Sequence, residues 1–177
     1  MSDSRKRLGL SIDQIEQLTG AARNGPTLFG RANAGAVAWM LTGPERVMLY
    51  RLLTEVGVLA KEVLALTPRE FRLNDELPHI ALGGIAKPKR RGCLLPLGAA
   101  LASMLGEFLL EHEDEAPVFW LDSVANIEQA LQYDASSAGL VSRRVLLSSL
   151  ASAFATGLKA AAGGRQFWSD GAVEVRP

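Results

Sequence analysis

Apolar residues recur at helical spacing along most of the chain, and a strand-and-turn pattern interrupts them once. Ser11 opens the first helical pattern, in which Ile12, Ile15 and Leu18 recur every three residues. Asp13 and Glu16 fall in its first turn, where the helix dipole favours acids, and Asn24-Gly25-Pro26 stops it. Residues 25–42 are rich in Gly and Ala and read as a loop or a weak helix. Thr42 and Glu45 have capping-box spacing ahead of Val47, Met48, Leu49, Leu52, Leu53 and Val56. That broad apolar face predicts a buried helix over 44–56, ended by Gly57. Leu59 to Leu66 reads as a short second helix, and Thr67-Pro68 begins another turn.

The pattern changes at residue 72. His79–Leu82 reads as a strand, Gly83-Gly84 as a bend and Lys87-Pro88-Lys89-Arg90-Arg91-Gly92 as a basic hairpin turn. Cys93–Leu97 is the return strand, with Pro96 at its end. Helical spacing resumes over 98–111 and ends in the acidic run Glu111-His112-Glu113-Asp114-Glu115. Val118–Leu121 is a short extended piece, 123–133 and 143–162 are two further helices, and Ala172–Val175 is strand-like. No solenoid-type repeat is visible. The expected fold is mainly α with a small antiparallel β-sheet over 78–97, an α+β domain over 11–162. A flexible basic N-terminus (1–10) precedes it and a divergent tail (163–177) follows.

Composition removes several classes of function. The 177 residues hold 19 Lys+Arg and 19 Asp+Glu, and 48% are hydrophobic. This describes a packed domain, and neither a disordered chain nor a uniformly basic nucleic-acid binder. The balance is local, however. Residues 1–91 carry 14 basic and 9 acidic residues, and residues 92–115 carry 5 acidic and no basic ones. A basic face therefore remains open to the chain. Its single cysteine, Cys93, cannot form an intrachain disulfide and suits a cytoplasmic protein. The start lacks a secretory signal's apolar core. The apolar run near 145–162 is broken by Ser148, Ser149, Ser152, Thr156 and Lys159, so no membrane span is expected. His79 and His112 have no ligand spacing and no phosphate-cradling glycine loop occurs, so no metal or cofactor is expected.

The run Tyr50–Thr67 resembles the first signature of tyrosine recombinases (phage-type integrases), a helix followed by Thr-Gly-Leu-Arg, two variable residues and Glu-Leu. Gly57, Glu62 and Leu66 fall in place. The basic hairpin closed by Leu95-Pro96-Leu97 resembles the second signature, a lysine-bearing turn followed by Val-Pro-Leu. Ser148–Leu158 resembles the third, His-x-Leu-Arg-His-Thr-Phe-Ala-Thr, matching at Leu150, Phe154, Ala155 and Thr156. The three anchors are collinear and cover roughly residues 11–160. The resemblance implies a catalytic-domain core without the family's separate N-terminal DNA-clamping domain and without its tyrosine-bearing C-terminal piece.

The departures from the family fall on its chemical positions. The family attacks the scissile phosphate with a tyrosine, while two arginines neutralise phosphate oxygens and a His and a Lys move protons. Here the first arginine position is Leu59, the second is Ala151, and the two histidine positions are Ser148 and Ser152. Tyr50 and Tyr133 both precede the third signature, whereas the nucleophile should follow it. Only the hairpin lysine has a counterpart, Lys87 or Lys89. One lost charge stabiliser costs about 10²–10³ in rate, and an arginine on a transferring phosphoryl group is worth about 10³–10⁵. Strand cleavage by this chain alone is not expected.

The leading expectation is thus a catalytically inactive integrase-like protein in DNA integration or recombination. It would bind duplex DNA through Lys87, Lys89, Arg90 and Arg91, with Arg143 and Arg144 opening the last helix, or modulate an active recombinase. A solvated turn and helix start are the plainer accounts of those charges. The alternative is a protein-interaction or structural module, self-associating and without a DNA role. A third reading, an active integrase completed by a partner chain, would need a trapped covalent DNA adduct. Glu62 is expected to pair on the surface with Lys61 or Arg69, and Cys93 to be a small buried hydrophobe.

Overall fold

The computed structural model describes residues 9–32, 35–83, 92–140 and 147–161, with side chains in the last stretch through Phe154. Helix α1 (Ile12–Asn24) opens with a reciprocal cap in which the Ser11 hydroxyl accepts from the Gln14 N–H and the Gln14 side chain accepts from the Ser11 N–H. Strands β1 (Leu28–Arg31) and β2 (Val37–Leu41) form a hairpin pairing Leu28 with Leu41 and Gly30 with Trp39. This corrects the loop or weak helix expected over 25–42. Trp39 and Leu41 point into the core while Phe29 stays exposed, the alternation of a half-buried sheet.

Helix α2 (Gly43–Arg51) begins with the expected Thr42/Glu45 capping box, the Thr42 N–H donating to Glu45 Oε2 at 2.6 Å. Its last part, Leu52–Val56, widens into a π-helical turn that ends at Gly57. Val47, Leu49, Leu52 and Val56 are all buried, as the apolar face predicts. Helix α3 (Ala60–Val63) is a single turn, and a 3₁₀ turn over Pro68–Glu70 leads into β3 (Phe71–Arg72).

Strands β4 (His79–Leu82) and β5 (Cys93–Pro96) pair antiparallel from His79–Pro96 to Leu82–Cys93, as expected, and β3 adds a third strand beside β4. Helices α4 (Ala99–Leu109), α5 (Val124–Ser137) and α6 (Leu147–Ala161) complete the domain. Phe119 and Trp120 are not a strand. Their segment is still held by backbone bonds, Met40 N–H to Trp120 O at 3.0 Å and Val118 N–H to Leu66 O at 2.8 Å. The result is an α+β fold, mainly helical, with two small antiparallel sheets where one was expected. One core of buried side chains runs from Leu10 to Ala153. Among the described residues no helix is long and apolar enough to cross a membrane.

Candidate functional site

Gly57 is the residue on which the site is built. Its backbone is left-handed, with φ +75°, a conformation that a side chain disfavours. A Cβ there would also overlap the Phe154 ring on α6. The first and third signature-like segments therefore meet directly, through the glycine of one and the phenylalanine of the other. Leu150, one turn before Phe154, is fully buried.

Two residues past Gly57, Leu59 stands as the N-cap of α3. Its N–H donates to Glu62 Oε2 at 2.9 Å, and its side chain is 37% exposed. Glu62 itself is only 2% exposed. The expected surface pair with Lys61 or Arg69 is thus wrong, because the carboxylate turns inward to satisfy a helix-start N–H. Arg69 pairs instead with Glu115, at 2.6 Å. On α6 the Ala151 side chain is exposed, whereas Ser148 and Ser152 are half-buried. Leu59, Ser148, Ala151 and Ser152 carry hydroxyls and aliphatic groups but no charge.

Of the basic candidates, Lys87, Lys89, Arg90, Arg91, Arg143 and Arg144 lie outside the described residues. The β4–β5 register ends with Leu82 paired to Cys93, and the Gly92 N–H donates to Leu82 O at 3.2 Å. Cys93 is half-buried at that end of β5, less enclosed than expected. Among the described residues no group of three or more His, Cys, Asp or Glu is arranged to hold a metal ion.

Sequence reasoning missed a buried polar network. Arg46 is fully buried, and its Nε donates to Asp134 Oδ2 at 2.8 Å. Nη1 donates to the carbonyls of Pro26 and Leu41 and Nη2 to that of Ala22, at 2.9–3.0 Å. The Tyr50 hydroxyl donates to the same Asp134 oxygen at 2.7 Å. Burial pushes the Tyr50 hydroxyl well above its ordinary pKa. The adjacent Asp134 carboxylate and the hydrogen bond to it add to the rise, and Arg46 partly opposes it. A signal existed. Ile127, Ala130, Leu131, Asp134 and Ala135 share one helical face, so an acid occupies a position whose periodicity calls for an apolar residue.

Among solved structures the fold is similar to a crystal structure of XerA recombinase, with a TM-score of 0.60 and 16% sequence identity. The match covers 85% of this chain and 50% of that one, so the chain spans half the length of that structure. At this identity the likeness is one of fold. No protein-family model matches the sequence, and no curated protein matches it.

Proposed function

We propose that this protein is a recombinase-fold DNA-binding protein without strand-cleavage chemistry, acting in DNA integration or recombination by occupying DNA or by modulating an active recombinase. The observation that carries the reading is the pairing at Gly57 and Phe154. It joins the two segments on which a recombinase's arginines would converge, yet Leu59 and Ala151 carry no charge there. Neither tyrosine fits a nucleophile's place. Tyr50 is fully buried with its hydroxyl bonded to Asp134, and Tyr133 lies on α5, ahead of α6. The basic turn at 87–91 is the proposed phosphate contact, with Arg143 and Arg144 as accessory cations.

The test is a gel shift of the full chain on duplex DNA across a salt series. Binding at low salt, weakened when Lys87, Lys89, Arg90 and Arg91 become Ala, is expected. A suicide substrate should yield no covalent adduct. Absence of a shift at low salt, or a shift indifferent to the four substitutions, sinks the DNA reading.

One surface favours the alternative of a protein-interaction module. Phe29 is exposed opposite Met40, and Met40 is bonded to Trp120, which is 52% exposed. Three apolar side chains on adjacent backbone segments suit a protein partner or a second copy. Self-association in sedimentation that Phe29→Ser and Trp120→Ser abolish, and the turn variant leaves intact, would favour that reading.

A further inference from the structure

The β1–β2 hairpin turns one face to the core and leaves aromatic surface on the other. Trp39 and Leu41 point inward, so Phe29, opposite Met40, points outward and is half exposed. Phe119 is fully buried, and Trp120 beside it is half exposed. The Met40 N–H donates to Trp120 O, so the Phe29 and Trp120 backbones flank β2 on opposite sides. Two strand spacings put those backbones about 10 Å apart. The Arg31 guanidinium lies 5.5 Å from the centre of the Phe29 ring, and its Nη1 donates to Gly35 O at 2.8 Å. That bond holds the cation against the ring. Residues 17–44 contain Arg23 and Arg31 and no Asp or Glu, so the hairpin is cationic within a chain of zero net charge. Asp122 is the nearest acid to Trp120 along the chain, which places an anion on the Arg31 side.

We infer that Phe29, Arg31 and Trp120 form a stacking platform for the unpaired bases of a single-stranded nucleic acid, with Arg31 taking a phosphate. An apolar protein contact would use the two rings and leave the cation idle. A nucleotide uses all three groups, since its base offers a π-face to a ring and its phosphate a charge to the guanidinium. A duplex hides those base faces within its stack, so the ligand is single-stranded. The inference goes beyond duplex binding through the 87–91 turn and stands independently of it, because that turn needs only phosphates.

Fluorescence anisotropy of the full chain on labelled oligothymidine and oligouridine of about 12 nucleotides, beside a duplex of equal length, tests it. Binding of either single strand supports the platform, and the tighter of the two identifies the sugar it meets. Phe29→Ala and Trp120→Ala should each weaken single-strand binding by about 5- to 150-fold, the worth of one stacked base, and leave duplex binding in place. Trp120→Phe keeps a ring and should retain most of the affinity. Arg31→Gln should lower the slope of log affinity against log salt by about 0.7, one phosphate contact on a single strand. Wild-type protein that binds neither single strand overturns the inference, as do ring variants that bind like wild type. Equal losses on single strand and duplex also overturn it, since stacking needs unpaired bases. Self-association that the ring variants abolish, without single-strand binding, would assign the patch to a second copy instead. Failure on the duplex alone removes the turn reading and leaves the platform standing.

Discussion

Arg46 and Asp134 are both fully buried, and each is intelligible only through the other. The guanidinium ties the end of α1, the turn at Pro26 and the end of β2 to α5 through four donated bonds. Asp134 Oδ2 takes both Arg46 and Tyr50, and Oδ1 has no hydrogen-bond partner. Arg46→Met should therefore cost about 3–5 kcal/mol in urea unfolding, because it strands a carboxylate in the core. Adding Asp134→Leu should recover much of that loss, since the buried charge goes with it; a double variant no more stable than Arg46→Met would refute this account. Tyr50→Phe should cost about 1.5–3 kcal/mol for a hydrogen bond to a charged acceptor. It should also change the alkaline limb of stability. The folded protein holds the Tyr50 proton above the ordinary phenol value of about 10, while the unfolded chain releases it there. The unfolded state then binds fewer protons, so this contribution is complete below about pH 10 and declines as pH rises further. Wild type should lose stability more steeply than Tyr50→Phe in that range, and parallel curves would contradict the buried hydroxyl.

At the scale of elements, α6 is held from two sides, by the Phe154 ring on Gly57 and by the close approach of Gly9 to the Ser152–Ala153 peptide. Gly57→Ala should cost about 1–2 kcal/mol for the left-handed backbone alone, and more because Phe154 must move. Phe154→Ala introduced into Gly57→Ala should then cost less than it does in wild type, which thermal melts of the four proteins would show. The elements legible in the sequence were α1 behind its Ser11 cap, α2 behind its Thr42 cap, and the paired strands β4 and β5. Helix α5 runs past the expected end at 133 to Ser137, because Asp134 breaks the polarity pattern while continuing the buried face. The β1–β2 hairpin was hidden for another reason. Gly30, Ala32, Gly35, Ala36 and Ala38 have weak strand preference, and the pairing of Gly30 with Trp39 is a cross-strand fact with no local signature. Arg46 and Asp134 were hidden by 88 residues of separation.

For the whole molecule, the fold brings two of the motif-bearing segments into contact, at Gly57 and Phe154. The positions at which the resemblance would place arginines are surface positions. Leu59 is 37% exposed and Ala151 is exposed, so each has room for a long polar side chain without disturbing the core. This allows the DNA reading to be tested by addition as well as by removal. If Leu59 and Ala151 are both turned toward bound DNA, Leu59→Arg with Ala151→Arg should steepen the salt dependence of binding by about 1.8, two added phosphate contacts at about 0.9 each. The same two arginines at positions turned away from DNA would leave the slope unchanged and raise affinity only slightly through net charge. Cleavage should stay absent from the double variant, because stabilising the charge of a transition state does nothing without a group to attack phosphorus. A covalent adduct on a suicide substrate would instead mean that one of the two tyrosines, or a partner's, reaches the phosphate. The salt slope and the adduct thus report separately on the two properties that recombinases combine, a surface for the DNA backbone and a nucleophile to break it.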